Sequence, residues 1–573
     1  MRRLVRLAAF QSLALLVCLA SGSSGETCPR SQGGNFVSYV VVPELANGSL
    51  VLKVGLTFKL DKSSDVDLVL PSEWQGATEL YKHVSGIRVS PQGTSMRDSG
   101  NPARRHLSFD RGKPVHVEYT FEQGELAQGS QVFFGPVLNA KFFVLTGRNF
   151  LVYPDIPEHE RLPVSFEWKD FPSGWALADS LGVNQPCQET QSLLTLSNGL
   201  FVGGDFRLKN VLVAGQPVYI AVRGDWPFSD EHFADLAAKV LSAEREFWND
   251  RNVPYYLVAL MPMDAPSGEY AGTAVEDGFL MLMSRGTQLG LDVQFLLAHE
   301  MFHTWNPAQL GEVGPEDPVY WFSEGFTDYY ARLLLLRSSL IAPQEYLKEV
   351  NRVYSEYMAS PARNYDKQLV QSQYFANPAA QRLPYLQGSL LALKWNALIG
   401  DHSAKRQSLD DAMRTLRRKA QGSEQTLTDR SLVTFLAGFT GPEAATDIRN
   451  YVVLGQTLPL PPNALGGCIS IAKKPFYTFD SGFNIEALYR DGRIRDVKEG
   501  SEAFRAGLRD GQTVVQSTAI DPNDADHAIE MTVLDSGLPK RVRYLPHGTQ
   551  SEVDQYEIQA GSNTQQCPNT VLR

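Results

Sequence analysis

From Ser49 to Leu60 every second residue is apolar: Leu50, Leu52, Val54, Leu56, Phe58 and Leu60. Val115, Val117, Tyr119 and Phe121 repeat that period, and Lys141–Leu145 adds a short apolar run. Period two with Gly, Pro and Ser between the runs predicts half-buried antiparallel strands, so residues 26–225 are expected to form an N-terminal β-sandwich. After Ser229 the period lengthens. Phe233, Leu236, Val240, Ala243 and Phe247 follow a serine N-cap at helical spacing. Further helices are expected at 291–306, 322–337, 343–358, 385–399 and 407–419, with strands at 255–261 and 278–283. Residues 226–465 therefore read as a mainly helical domain. From Phe476 onward short strands and glycines return, giving a third domain over 466–573. The fold class is multidomain α+β, in keeping with a chain of 573 residues, too long for one core.

The N-terminus breaks this pattern. Arg2, Arg3 and Arg6 precede an apolar stretch from Leu7 to Ala20 and then the small residues Ser21–Gly25. That order predicts a signal peptide over residues 1–25, cleaved near Gly22 or Gly25, and export to the periplasm or the outside of the cell. The stretch is shorter than the ~20 residues that span a bilayer, and no later segment is apolar enough to do so. Cleavage leaves Cys28, Cys187, Cys468 and Cys567, whose three possible pairings the sequence does not choose among. The net charge of −11, with no basic block, argues against nucleic acid as a partner.

Chemistry concentrates between Gly272 and Tyr385. Phe295–Trp305 contains His299-Glu300-Met301-Phe302-His303 within a helical pattern. Residues four apart share a helix face about 6 Å apart, so both imidazoles can converge on one cation while Glu300 reaches a water beside it. A catalytic zinc site needs a third protein ligand and an open position. Glu312, Glu316, Asp317, Glu324 and Asp328 are the downstream candidates. Glu312 and Glu316 sit in a Gly/Pro-containing loop. Glu324 is expected in the first turn of a helix capped by Ser323, and Asp328 one turn further on, placed to hold the outer N–H of a ligand histidine.

HExxH with a glutamate on a following helix is the gluzincin pattern. His303-Thr304-Trp305-Asn306, followed by Trp321-Phe-Ser-Glu-Gly-Phe-Thr-Asp-Tyr-Tyr330, resembles the glycyl aminopeptidase family of that clan. The resemblance implies an N-terminal β domain, a thermolysin-like catalytic domain and a C-terminal PDZ domain. It implies one zinc ion held by His299, His303 and Glu324, with Glu300 as general base and peptides or proteins as substrates. It further implies an oxyanion donor at Tyr385, in Pro384-Tyr385-Leu386-Gln387-Gly388, where Gln387 replaces the family's lysine. An anchor for the substrate's amino group is implied at Glu276, in the stretch Tyr270–Gly278 that stands for the family's Gly-rich motif and contains Gly272. Asp277 there replaces a histidine. Ser481-Gly482-Phe483-Asn484 and Val497–Val514 resemble the carboxylate loop and helix of a PDZ domain, which can capture a peptide C-terminus as an added strand. The expected function is an aminopeptidase. An endopeptidase using the same zinc site, or a catalytically weak PDZ-containing binding protein, are the alternatives.

Overall fold

The computed structural model describes residues 34–558, apart from 47–48, 75–76, 124–134, 158–159, 181–190, 252–255, 264–268, 315–317, 422–425, 463, 467–468, 519 and 521–523. The expected signal peptide, every cysteine, Glu316 and Asp317 lie outside the described residues.

The N-terminal strands are β1 (Phe36–Ala46), β2 (Ser49–Lys59), β3 (Val84–Ser90), β4 (Val115–Glu122) and β5 (Val164–Trp168), in the sheet order β5-β1-β2-β4-β3. All pairs are antiparallel except β1 with β5. Leu52, Val54, Leu56 and Phe58 are buried, and a second four-stranded sheet contributes Leu68 and Leu107 to the same core.

A second sheet lies under the helices. It consists of β6 (Arg207–Val213), β7 (Gln216–Val222), β8 (Tyr256–Met263), β9 (Tyr270–Val275) and β10 (Gly278–Ser284), ordered β6-β7-β8-β10-β9. The N-terminal unit therefore ends before Arg207 rather than at residue 225. The period of β6 and β7 could not reveal this, because a strand alternates the same way whichever sheet it joins. Burial on both faces explains why β10 is a continuous apolar run. Phe279, Met281 and Met283 pack against the helices, while Leu280 and Leu282 pack against the N-terminal domain.

The helices that matter for the site are α1 (Asp230–Trp248), α2 (Leu291–Phe302), α3 (Tyr320–Ser323), α4 (Gly325–Arg337), α5 (Pro343–Ala359) and α6 (Pro378–His402). Ser229 caps α1, its side chain accepting from the His232 N–H at 3.1 Å. Two helix starts differ from expectation. Ser323 ends α3 instead of capping α4, so Glu324 occupies the junction between them. Pro384 lies inside α6, which begins about two turns before the expected start, behind the Asn377 cap. An internal proline removes one helical hydrogen bond. Burial of Ala380, Leu383, Pro384 and Leu386 outweighs that loss here.

α4 and α6 cross at two glycines. A Cβ on Gly388 would lie 1.8 Å from the Trp321 carbonyl oxygen, and one on Gly325 would lie 2.4 Å from Gly388 Cα. Neither clash can be relieved by moving a side chain, because backbone meets backbone. Gly388→Ala is expected to cost at least about 3 kcal/mol by overpacking, read as a lower unfolding temperature in calorimetry.

The C-terminal part has a long antiparallel pair of β11 (Ile469–Phe479) and β15 (His547–Ile558), with β12 (Thr513–Ser517), β13 (Ile529–Asp535) and β14 (Leu538–Tyr544) around a separate core. The pair docks on α5, where the Asn351 side-chain amide both donates to the Tyr556 carbonyl (2.8 Å) and accepts from its N–H (2.7 Å). The expected carboxylate loop departs from the PDZ arrangement. Its N–H groups are taken by Asp480 (Gly482, 2.9 Å), Ser481 (Phe483, 3.4 Å) and the Arg495 carbonyl (Asn484, 2.9 Å). Asn484 then caps α7 (Ile485–Asp491), whose Ala487 and Leu488 are buried, so a helix stands where peptide addition needs a strand.

Candidate active site

α2 carries His299 and Glu300 in its last turn, and His303 is the residue that closes it. The two imidazoles meet with their Nε2 atoms 3.0 Å apart, and Glu324 Oε2 lies 3.4 Å from each. These side chains are 12%, 16% and 18% exposed. Their outer nitrogens are held from opposite sides. His299 Nδ1 donates to Asp328 Oδ1 at 3.0 Å, and His303 Nδ1 donates to the Asn306 carbonyl at 2.8 Å. Both bonds turn the Nε2 lone pairs inward, the tautomer a metal requires.

Asn306 is fully buried, and its Nδ2 donates to the Phe322 carbonyl (3.2 Å) and to Thr327 Oγ1 (3.1 Å). It ties the end of α2 to the α3–α4 junction and so sets the distance between the histidines and Glu324. Asn306 was quoted in the family motif, yet its role as a carbonyl acceptor and brace is visible only in three dimensions.

Three acceptor atoms facing one another at these distances suit a cation. Without an ion, the neighbouring carboxylates favour a proton on the histidine pair instead. Burial disfavours a charged His299, but hydrogen bonds to Asp328 and Glu324 outweigh it and push its pKa up to about 10. Burial likewise opposes ionisation of Glu324, yet His303 and His299 hold it well below the usual carboxylate range. Asp328 is held low against the same burial by Arg332, His299 and Arg382. Two nitrogens and one carboxylate oxygen match a catalytic zinc site. Asp328→Asn is expected to weaken zinc binding about 10- to 100-fold, measured by competition with a chromophoric chelator.

Glu300 lies beside the ligands, and its Oε2 accepts from the Ala274 N–H on the edge strand β9 at 3.0 Å. Gly272, two residues earlier, explains how the strand comes so near. A Cβ there would sit 2.7 Å from the Phe279 ring and 3.1 Å from Glu300 Cγ. Glu276 lies in the turn after β9, where its N–H donates to the Asn198 carbonyl of the N-terminal domain at 3.0 Å. Burial raises its pKa and lifts that of Asp277 to about 7.

Tyr385 sits at the start of the third turn of α6 with its ring stacked on His299, centroids 5.8 Å apart. Its hydroxyl is hydrogen-bonded to that of Tyr374, and burial keeps the phenol protonated. Tyr374 was not anticipated. It precedes the α6 cap and stacks on Tyr320 at 4.0 Å, contacts with no local sequence signature. Glu312, a candidate ligand by composition, pairs instead with Thr426 in a small parallel bridge away from the cluster. Among the described residues, His299, His303 and Glu324 are the one cluster with metal-ligand geometry.

A cavity of about 910 Å³ opens from this cluster. It is lined by His299, Glu300 and Tyr385, by Tyr270 of β9 and Arg382 of α6, and by Tyr477 and Asp524 of the C-terminal domain.

The M61 glycyl aminopeptidase family model matches residues 293–383, the segment that carries His299, His303 and Glu324 and ends two residues before Tyr385. Over that segment the chain is similar to the M61 glycyl aminopeptidases. A crystal structure of an aminopeptidase N family protein from Idiomarina loihiensis superposes with a TM-score of 0.65 at 16% identity, covering 94% of this chain and 99% of that one. An alanine variant of the M1 zinc metallopeptidase of Deinococcus radiodurans, bound to a Tyr-Ser-Ala substrate, gives 0.51 at 16% identity, over 75% of this chain and 95% of the other. These likenesses show the fold of the chain. No curated protein matches it by sequence. No helix among its described residues is long and apolar enough to cross a membrane.

Proposed function

We propose that this metallopeptidase is an exported aminopeptidase that removes residues from the free amino end of peptides. The observation that carries the reading is the course of β9. The strand runs from the cavity at Tyr270, past Glu300 at Ala274, and stops at Glu276, where the N-terminal domain closes the sheet through Asn198. A substrate lying along that edge has room on its amino side for about one or two residues, given ~3.3 Å of rise per residue. Glu276, where the strand stops, is the residue we assign as anchor for the ammonium group.

A zinc ion held by His299, His303 and Glu324 supplies Lewis acidity toward the carbonyl and an acidified water. Glu300 takes a proton from the attacking water and returns it to the leaving amine. Its bond from the Ala274 N–H aims one carboxylate oxygen and leaves the other for the water. Tyr385, kept protonated by burial, turns its hydroxyl from Tyr374 to donate to the developing oxyanion.

Peptides of one sequence with free and with acetylated amino ends test the reading. Cleavage of the free form alone, with release of single residues, supports it. Equal cleavage of both would make the enzyme an endopeptidase. Failure to cleave either form with zinc bound would point to a binding protein. Export is tested separately by N-terminal sequencing of the mature protein, which should begin after Gly22 or Gly25.

A further inference from the structure

The cavity continues beyond the reacting centre at the Tyr270 end of β9, the side that takes the leaving group if the amino end lies at Glu276. Its floor is a lattice of charges. Arg332 Nη1 lies 3.0 Å from Asp328 Oδ2, Arg352 donates to Glu349 at 2.8 Å and contacts Glu356 at 3.3 Å, and Arg382 donates to Glu356 through Nε (2.9 Å) and Nη2 (3.2 Å). Three guanidinium groups thus face three carboxylates, and the lattice is balanced on its own.

Arg382 differs from the other two. Its Nη1 is 3.6 Å from Asp328 Oδ2, beyond hydrogen-bond length, and its side chain is 33% exposed against 5% for Arg332 and 21% for Arg352. The guanidinium sits 5.6 Å from the centroid of the Tyr385 ring, which in turn stacks on His299. Of the three arginines lining the cavity it is the most exposed, and it lies against Tyr385. Further out the sign reverses. Asp292 also lines the cavity, and the C-terminal domain adds Asp524 and Asp526, which lie 3.5 Å from Lys348 and 3.0 Å from His547 respectively.

We propose that Arg382 receives a carboxylate of the substrate on the leaving-group side, which makes the enzyme selective for short peptides. The carboxylate is either the peptide's own C-terminus or an acidic side chain. An extended chain advances about 3.3 Å per residue, so the group lies within about one to three residues of the cleaved bond. Arg382 can accept it at Nη1 without giving up Glu356, and a guanidinium binds a carboxylate more strongly than an amide. An anion placed further out would meet Asp524 and Asp526 instead, which restricts length as well as charge. The proposal rests on the aminopeptidase reading for its direction, since the cavity is on the leaving-group side only if Glu276 marks the amino end.

The test uses tri-alanine as the free acid and as the C-terminal amide, with Ala-Glu-Ala amide as a third substrate. For the full-length zinc enzyme, kcat/KM for the free acid should exceed that for the amide by about tenfold or more. Recovery of that advantage by Ala-Glu-Ala amide would assign the site to acidic side chains as well. Arg382→Gln should bring the acid-to-amide ratio near one. If Arg382 only props Glu356 and Asp328, both substrates lose equally and the ratio stays, which overturns the proposal, as does equal cleavage of acid and amide by the unaltered enzyme. Calorimetric binding of the acid and amide to the Glu300→Gln protein gives the same comparison without turnover. A preference for the acid there, with no dependence on a free amino end, would retain the carboxylate site and sink the aminopeptidase reading.

Discussion

Glu300→Gln is expected to lower kcat/KM by about 10³-fold while zinc content stays at one ion per chain. Glutamine keeps the length of the side chain, and its carbonyl still accepts the Ala274 N–H that glutamate accepts at 3.0 Å. Gly272 leaves the approach to the strand open in both proteins. What disappears is the basic oxygen that takes a proton from water, a contribution of roughly 10²–10⁴ in rate for a positioned general base. The three ligand residues do not touch that oxygen in the hydrogen-bond network, so metal affinity should not follow activity down. Metal analysis of the purified variant beside its kinetics checks both halves. A variant with most of its activity would show that some other group performs the proton transfer.

The second large effect falls on the ligands. His303→Ala removes one of two nitrogens and the residue that joins α2 to Asn306 through a 2.8 Å bond. The remaining His299 and Glu324 cannot form a closed three-donor set, and activity should fall to background. Thermal stability supplies an independent reading. An ion that binds only the folded state stabilises by about 2.7 kcal/mol at a hundred times its dissociation constant. Added zinc should therefore raise the unfolding temperature of the chelator-treated parent and leave that of His303→Ala unchanged. A zinc-induced shift of equal size in both would mean that the ion sits elsewhere.

Much of the site was legible because it is local. His299, Glu300 and His303 lie on one helix, and their spacing alone brings two imidazoles together. Glu324 and Asp328 were legible in the same way, as residues one turn apart. The start of their helix was not, because Ser323 reads as a cap and yet is the last residue of a preceding turn. Pro384 misled for the opposite reason. It is a reliable signal of a helix start in isolation, but the packing of α6 across α4 at Gly325 and Gly388 overrides it. In the C-terminal domain, Ser481–Asn484 has the composition of a carboxylate loop, yet Asn484 caps a helix and the loop's N–H groups are already satisfied.

The sequence by itself determined the strand and helix periods, the order of the three regions and the zinc-binding chemistry, because each depends on residues within a turn or a strand of one another. Only the tertiary structure decided that β6 and β7 belong to the catalytic sheet, that Asn306 and Tyr374 brace the site, and that Arg382 faces the cavity while Arg332 is buried. Those outcomes depend on partners that are distant along the chain, such as Asn306 with Phe322, Arg382 with Glu356 and Asn351 with Tyr556. Contacts of that kind form when separate elements pack, and local periodicity carries no record of them.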